Sequence, residues 1–161
     1  MRLTDSVHVF QLVNALGMTT WLSIAALNNV HGFFGAVGAV GTTMSMTPLR
    51  QAPAIDTPLL ARAIRSPALH RMALLLVLAL QIIAAVTCAV GSYHLAIGGG
   101  LMAARPWLNL ALSSLAASLF AMHLGGLWFA YWIRQEGLQL THIALLIWTL
   151  AAFFLFNALW G

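Results

Sequence analysis

Four long apolar stretches, roughly residues 7–30, 66–93, 107–132 and 141–160, occupy most of this chain and leave it only seven basic and three acidic side chains. About 20 apolar residues carry a helix across a hydrocarbon core ~30 Å thick, and each stretch is close to that length or longer. A soluble chain holds about a quarter of its residues as Asp, Glu, Lys and Arg; here the share is 6%, too little to cover a surface against water. In hydrocarbon a backbone must satisfy its own hydrogen bonds, which restricts spanning segments to helices and closed barrels. The pattern therefore predicts an all-α protein, a four-helix transmembrane bundle forming a single integral membrane domain over residues 1–161.

The charges that remain narrow the partners. Every basic residue is Arg, the acids are Asp5, Asp56 and Glu136, and the formal net charge is +4. The Arg residues stand apart rather than in a basic run, so nucleic acid is not an expected partner. Membrane lipid, anionic headgroups and other integral membrane subunits are. The lone Cys88 lies inside an apolar run and reads as a small buried hydrophobe. Arg2, Asp5 and His8 precede the first stretch, and no small-residue cleavage site closes it, so it reads as a retained span.

The connections have their own signals. A first helix continued to Gly41 would be about 52 Å long, so an interruption is expected at Asn28-Asn29 or His31-Gly32. Beyond it, Gly32, Gly35, Gly38 and Gly41 recur every third residue. That stretch is expected to rest as a loose apolar loop at the headgroups, with a re-entrant segment as the alternative. Residues 42–65 form the long polar first loop, punctuated by Pro48, Pro53 and Pro58. Thr57-Pro58 reads as a cap and first-turn proline opening a short amphipathic helix, LLARAI, and Ser66-Pro67 repeats the signal for the second span. Trp107, Trp128, Tyr131, Trp132 and Trp160 fall near span ends, where aromatic belts belong. Counting Arg50, Arg62, Arg65, Arg71 and Arg134 against Arg2 and Arg105 places the first loop in the cytoplasm by the positive-inside rule.

Six histidines are many for so small a chain. His8 and His94 fall on the side of the N-terminus; His31, His70 and His142 fall on the other; His123 is inside the third span. Two tiers of imidazole are what a haem b bundle needs, although no two histidines on one helix have the spacing such bundles use. His123 is the sharper case, since an ionisable group within a span is by default a candidate for function. It could belong to a quinone or proton site, or simply hydrogen-bond to Gln81 in the second span. Ala117, Ala121 and Gly125 form a small-residue stripe, continued by Gly126, that lets another helix approach. Met44 and Met46 could serve Cu(I) with His31, but methionine at an interface ordinarily packs. No catalytic triad, phosphate-cradling loop or carboxylate pair is present in the sequence.

Taken together, Asn28-Asn29 closing the first span, TTMSM, ARAIRSPALH opening the second, and GGLWF with Trp132 ending the third resemble a bacterial family of predicted small integral membrane proteins built on a domain of unknown function. Gln81, Cys88 and Gly91 occupy that family's positions for an intramembrane acid, a Cys and a Gly. Gln81 and Leu127 stand where the family has acids, so an ionic mechanism shared with it is not carried over. The turn after Trp132 is also shorter than the family's. The resemblance implies four spans in the bacterial inner membrane with cytoplasmic termini, and no particular activity. The expected role is a non-enzymatic accessory or anchoring subunit of a larger respiratory or electron-transfer complex. The alternative is a haem- or quinone-binding redox module using His123, His70, Arg71 and His142.

Overall fold

A computed structural model describes residues 3–158, with side chains from residue 4 onward. Among these the chain forms helices α1 (Leu3–His31), α2 (Phe33–Met44), α3 (Thr47–Arg50), α4 (Pro67–Ala96), α5 (Gly100–Trp128) and α6 (Glu136–Asn157), with 3-10 turns at Pro58–Arg62 and Tyr131–Ile133. Helices α1, α4, α5 and α6 are long and apolar enough to cross a membrane. Arg2 and the belt residue Trp160 lie outside the described residues. Large apolar side chains face outward along every one of these four helices, among them Val13, Met72, Phe120 and Ile147. Water would not tolerate so continuous an apolar surface on a monomer; acyl chains are its natural solvent.

The four long helices pack in the order α1, α4, α5, α6. Ala15, Met18, Leu22, Cys88, Leu108, Leu115, Leu119 and Phe156 are buried at their centre. Gly91 brings α4 onto α5: a Cβ there would lie 2.8 Å from the Leu108 side chain. The ring of helices closes where Gln11 Nε2 donates to the Leu155 carbonyl at 2.9 Å and Trp21 meets Trp148 edge-on at 5.5 Å. Asn109 and Asn157 exchange amide hydrogen bonds of 2.9 and 2.7 Å between α5 and α6. Such bonds between helices each contribute on the order of 1 kcal/mol in a bilayer.

The glycine-rich stretch is not a loop. The break after α1 is confined to Gly32, whose N–H reaches the Asn28 carbonyl at 2.8 Å, and the helical ladder resumes when Ala36 N–H reaches the Gly32 carbonyl at 2.9 Å. Helices α1 and α2 thus line α4 in one antiparallel register, marked by Thr19 to Ser92, Asn29 to Gln81 and Gly41 against His70. Glycine is a poor helix former in water. Beside lipid, an unpaired backbone group costs more than the lost propensity, and helix prevails.

The long polar first loop is likewise not formed. Its first residues extend α2, α3 follows, and Pro58–Arg62 makes a five-residue 3-10 turn where a short amphipathic α-helix was expected. The expected cap is present, with Leu59 N–H donating to Thr57 Oγ1 at 3.4 Å. Met46, Leu49, Phe129 and Ala130 form a second buried cluster, with Ile55, Leu60 and Ile64 packed against it. The segment is therefore a folded cap over one end of the bundle. Met46 and Met44 pack in this cluster, as methionines at an interface ordinarily do.

The third long helix begins at Gly100, behind a left-handed Gly99, and runs through Pro106. Arg105 consequently stands on α5 rather than in the preceding loop. Its Nε donates to the Phe156 carbonyl at 2.8 Å and its guanidinium reaches the Ala158 carbonyl at 3.5 Å, satisfying carbonyls that α6 leaves unpaired at its end.

Candidate functional site

Under the cap, the α5–α6 junction gathers three polar rings. Helix α5 stops at Trp128, and Ala130 takes a left-handed conformation (φ 55°) that folds Tyr131 back against the helix it has just left. The ring lies on Gly126, where an added Cβ would come within 2.6 Å of it. Only glycine leaves room for so close a stack. The Tyr131 hydroxyl and His123 Nδ1 are 2.7 Å apart, one full turn up α5 from the glycine contact. From α6, His142 stacks on Tyr131 at 5.9 Å between centroids and meets His123 edge-on at 6.5 Å.

Two of the three rings are nearly sealed, while His123 is half-buried. Tyr131 is 2% exposed and His142 6%. Burial pushes the Tyr131 phenol above its usual value, so it stays protonated in the physiological range. Either Tyr131 donates to His123 Nδ1 while the imidazole proton sits on Nε2, or Nδ1–H donates to the phenol oxygen; the two arrangements differ in the His123 tautomer and the turn of the hydroxyl. His142 Nδ1 is the exception: it is buried with no hydrogen-bond partner. Leaving such an atom unpaired costs about 1–3 kcal/mol, so it marks a place where a partner group would be stabilised.

The structure brings together two of the four candidate cofactor residues. His123 and His142 meet through Tyr131. His70 stands apart: its Nε2 donates to the Ile64 carbonyl at 2.9 Å, and its ring abuts Gly41 of α2. Arg71 is exposed on α4. The expected His123–Gln81 bond is replaced by Asn29 Nδ2 donating to Gln81 Oε1 at 2.8 Å, because α4 faces α1 at that depth. Tyr131 touches both imidazoles, so His123 and His142 are bridged by a phenol rather than parted by a macrocycle-wide gap. The remaining described histidines with polar contacts serve their own helix ends, His31 with the Leu27 carbonyl and His94 with the Gly98 carbonyl.

The small-residue stripe divides in two. Ala117 is exposed, Ala121 and Gly125 are half-buried, and a Cβ on Gly125 would meet nothing within 4 Å. Of the stripe's two glycines, Gly126 is the one that makes a close approach within the chain. Tyr131 was expected in an aromatic belt and is instead the centre of the site. Its spacing from Gly126 was visible in the sequence, but the left-handed turn at Ala130 that joins them was not.

No curated protein and no solved structure matches the chain. A family model described as predicted small integral membrane protein (DUF2165) matches residues 7–158, and the chain belongs to that family.

Proposed function

We propose that this chain is a non-enzymatic accessory subunit of the bacterial inner membrane that docks in the bilayer against a larger electron-transfer complex. The observation that carries this reading is where the interior polar groups go. Gln11, Thr19, Asn29, Gln81, Ser92, Arg105, Asn109 and Asn157 all bond across helices of the same bundle. That is the chemistry of a scaffold, in which polar groups hold helices together rather than face a substrate. The outward face of α5 at Ala117 and Gly125 supplies a surface that a partner helix can approach closely. Mild-detergent purification with in-membrane crosslinking from position 117 tests it. A reproducible crosslinked membrane-protein partner whose co-purification is lost in Ala117→Trp supports the reading, and a lone monomer with no crosslinked partner contradicts it.

A second reading rests on His142. Its unpaired Nδ1, beside the His123–Tyr131 pair, could hydrogen-bond a quinone-like ligand at the edge of the bilayer. A haem b site using the same histidines would need Tyr131 to leave the space it fills. Lipid extraction separates these options: co-purified quinone that disappears in His142→Leu supports the former, and a Soret band supports the latter.

A further inference from the structure

The cap holds a second polar feature, unconnected with the histidine–tyrosine cluster. An open cavity of about 560 Å³ lies between the end of α2, α3 and the start of α4. Its polar lining is Thr42, Ser45, Thr47, Arg50, Arg65 and His70, and no acid lines it. Arg50 and Arg65 are 15 positions apart in sequence, yet the fold places both at one cavity. Neither guanidinium has an ion pair or hydrogen bond among the described residues.

The attraction in this cavity comes from the guanidiniums, because the other polar groups are engaged. Ser45 Oγ donates to the Gly41 carbonyl at 2.6 Å and lies 2.8 Å from Thr47 Oγ1. Thr42 Oγ1 donates to the Gly38 carbonyl at 3.0 Å. His70 donates through Nε2 to a carbonyl, so a neutral ring keeps its Nδ1 as an acceptor. What these groups do is hold the cavity's shape. Ile64 N–H reaches the Met44 carbonyl at 2.8 Å and its own carbonyl receives His70, clamping the segment that carries Arg65 beside α2. Helix α4 opens between Arg65 and His70 with no side-chain cap, so its positive end adds to the potential there.

Depth suggests what such a cavity meets. Helix α4 has 30 residues and is about 45 Å long, which matches a bilayer with its headgroup layers rather than the ~30 Å hydrocarbon core alone. His70 lies in the first turn of that helix with Gly41 of α2 against its ring, at the level where headgroups lie. Two guanidiniums there with no acid in the lining suit a phosphoryl group, which planar donor forks bind in pairs.

We propose that Arg50 and Arg65 form a phosphoryl-binding site in the cap, filled by the headgroup phosphate of an anionic phospholipid or by a free phosphate. The test uses the full chain in dodecyl maltoside. Thermal stability and native mass spectra are recorded against three probes: dihexanoyl phosphatidylglycerol, dihexanoyl phosphatidylcholine and inorganic phosphate. The wild type should bind the phosphatidylglycerol and gain thermal stability from it. The Arg50→Gln/Arg65→Gln double variant should bind it at least about tenfold more weakly. Arg71→Gln, an equal loss per site of exposed charge outside the cavity, should bind like wild type.

Both arginines are exposed, so the double variant is expected to fold; an unchanged circular dichroism spectrum and gel-filtration profile check this. Should it not fold, Arg50→Lys/Arg65→Lys takes its place, and weakened binding that keeps its salt dependence is the supporting result. Saturation by inorganic phosphate as well assigns the site to free phosphate, whereas response to phosphatidylglycerol alone assigns it to headgroups. Binding that the double variant retains in full, or that Arg71→Gln loses equally, overturns the proposal, as does the absence of binding by all three probes.

Discussion

Adding one methyl group at two neighbouring glycines of α5 should have opposite consequences. A Cβ at Gly126 would lie 2.6 Å from two Tyr131 ring carbons and 2.7 Å from a third. Ordinary carbon contacts are about 3.5–4.0 Å, so the ring must retreat by roughly 1 Å. It has little freedom to do so, being tied to His123 at 2.7 Å and stacked on His142 at 5.9 Å. Overpacking of this kind costs about 1–3 kcal/mol, and a lost phenol–imidazole bond leaves a buried polar atom that costs about 1–3 kcal/mol more. Alanine's better helix propensity returns up to about 1 kcal/mol. The net expectation for Gly126→Ala is a destabilisation of about 1–6 kcal/mol. At Gly125 the added methyl meets nothing within 4 Å, so Gly125→Ala should be neutral or stabilising by up to about 1 kcal/mol. Reversible unfolding of both variants in mixed dodecyl maltoside–SDS micelles, followed by far-UV circular dichroism, gives the comparison. Equal stability of the two variants, or a greater loss at Gly125, would refute the placement of Tyr131 against α5.

Further expectations follow from the same contacts. Tyr131→Phe keeps the stack but strands His123 Nδ1, so it should cost about 1–3 kcal/mol in the same assay and shift the His123 ring nitrogen resonances. Gly91→Ala should press on Leu108, 2.8 Å from the new Cβ, and destabilise the α4–α5 contact by about 1–3 kcal/mol. A double-mutant cycle on Asn109→Ala and Asn157→Ala should return a coupling of about 0.5–2 kcal/mol; a value indistinguishable from zero would mean the reciprocal amide pair is not formed in the membrane.

The spans were the legible part, because a helix surrounded by lipid needs a long apolar run and little else, and Ser66-Pro67 and Gly98-Gly99-Gly100 punctuate those runs. The cap was not legible. Met46, Leu49, Ile55, Leu60 and Ile64 show no period of 2 or 3.6, since they converge from separate short turns rather than from one face of an element. The glycines of α2 misled in the other direction, because water-based propensity undervalues helix where no solvent can replace its hydrogen bonds. His123 and His142 stood out as ionisable groups in apolar sequence. Their meeting through Tyr131 depends on a non-glycine residue in the left-handed region, which few sequences announce.

The four crossings themselves are open to a direct test. Single cysteines at Thr4, Ile97, Asp56 and Glu136, introduced one at a time with Cys88→Ala, can be probed with a membrane-impermeant maleimide on sealed vesicles of known orientation. Thr4 and Ile97 should label from one face, and Asp56 and Glu136 only from the other, since α1, α4, α5 and α6 carry the chain across in alternation. Labelling of Thr4 and Asp56 from the same face would contradict that path through the bilayer.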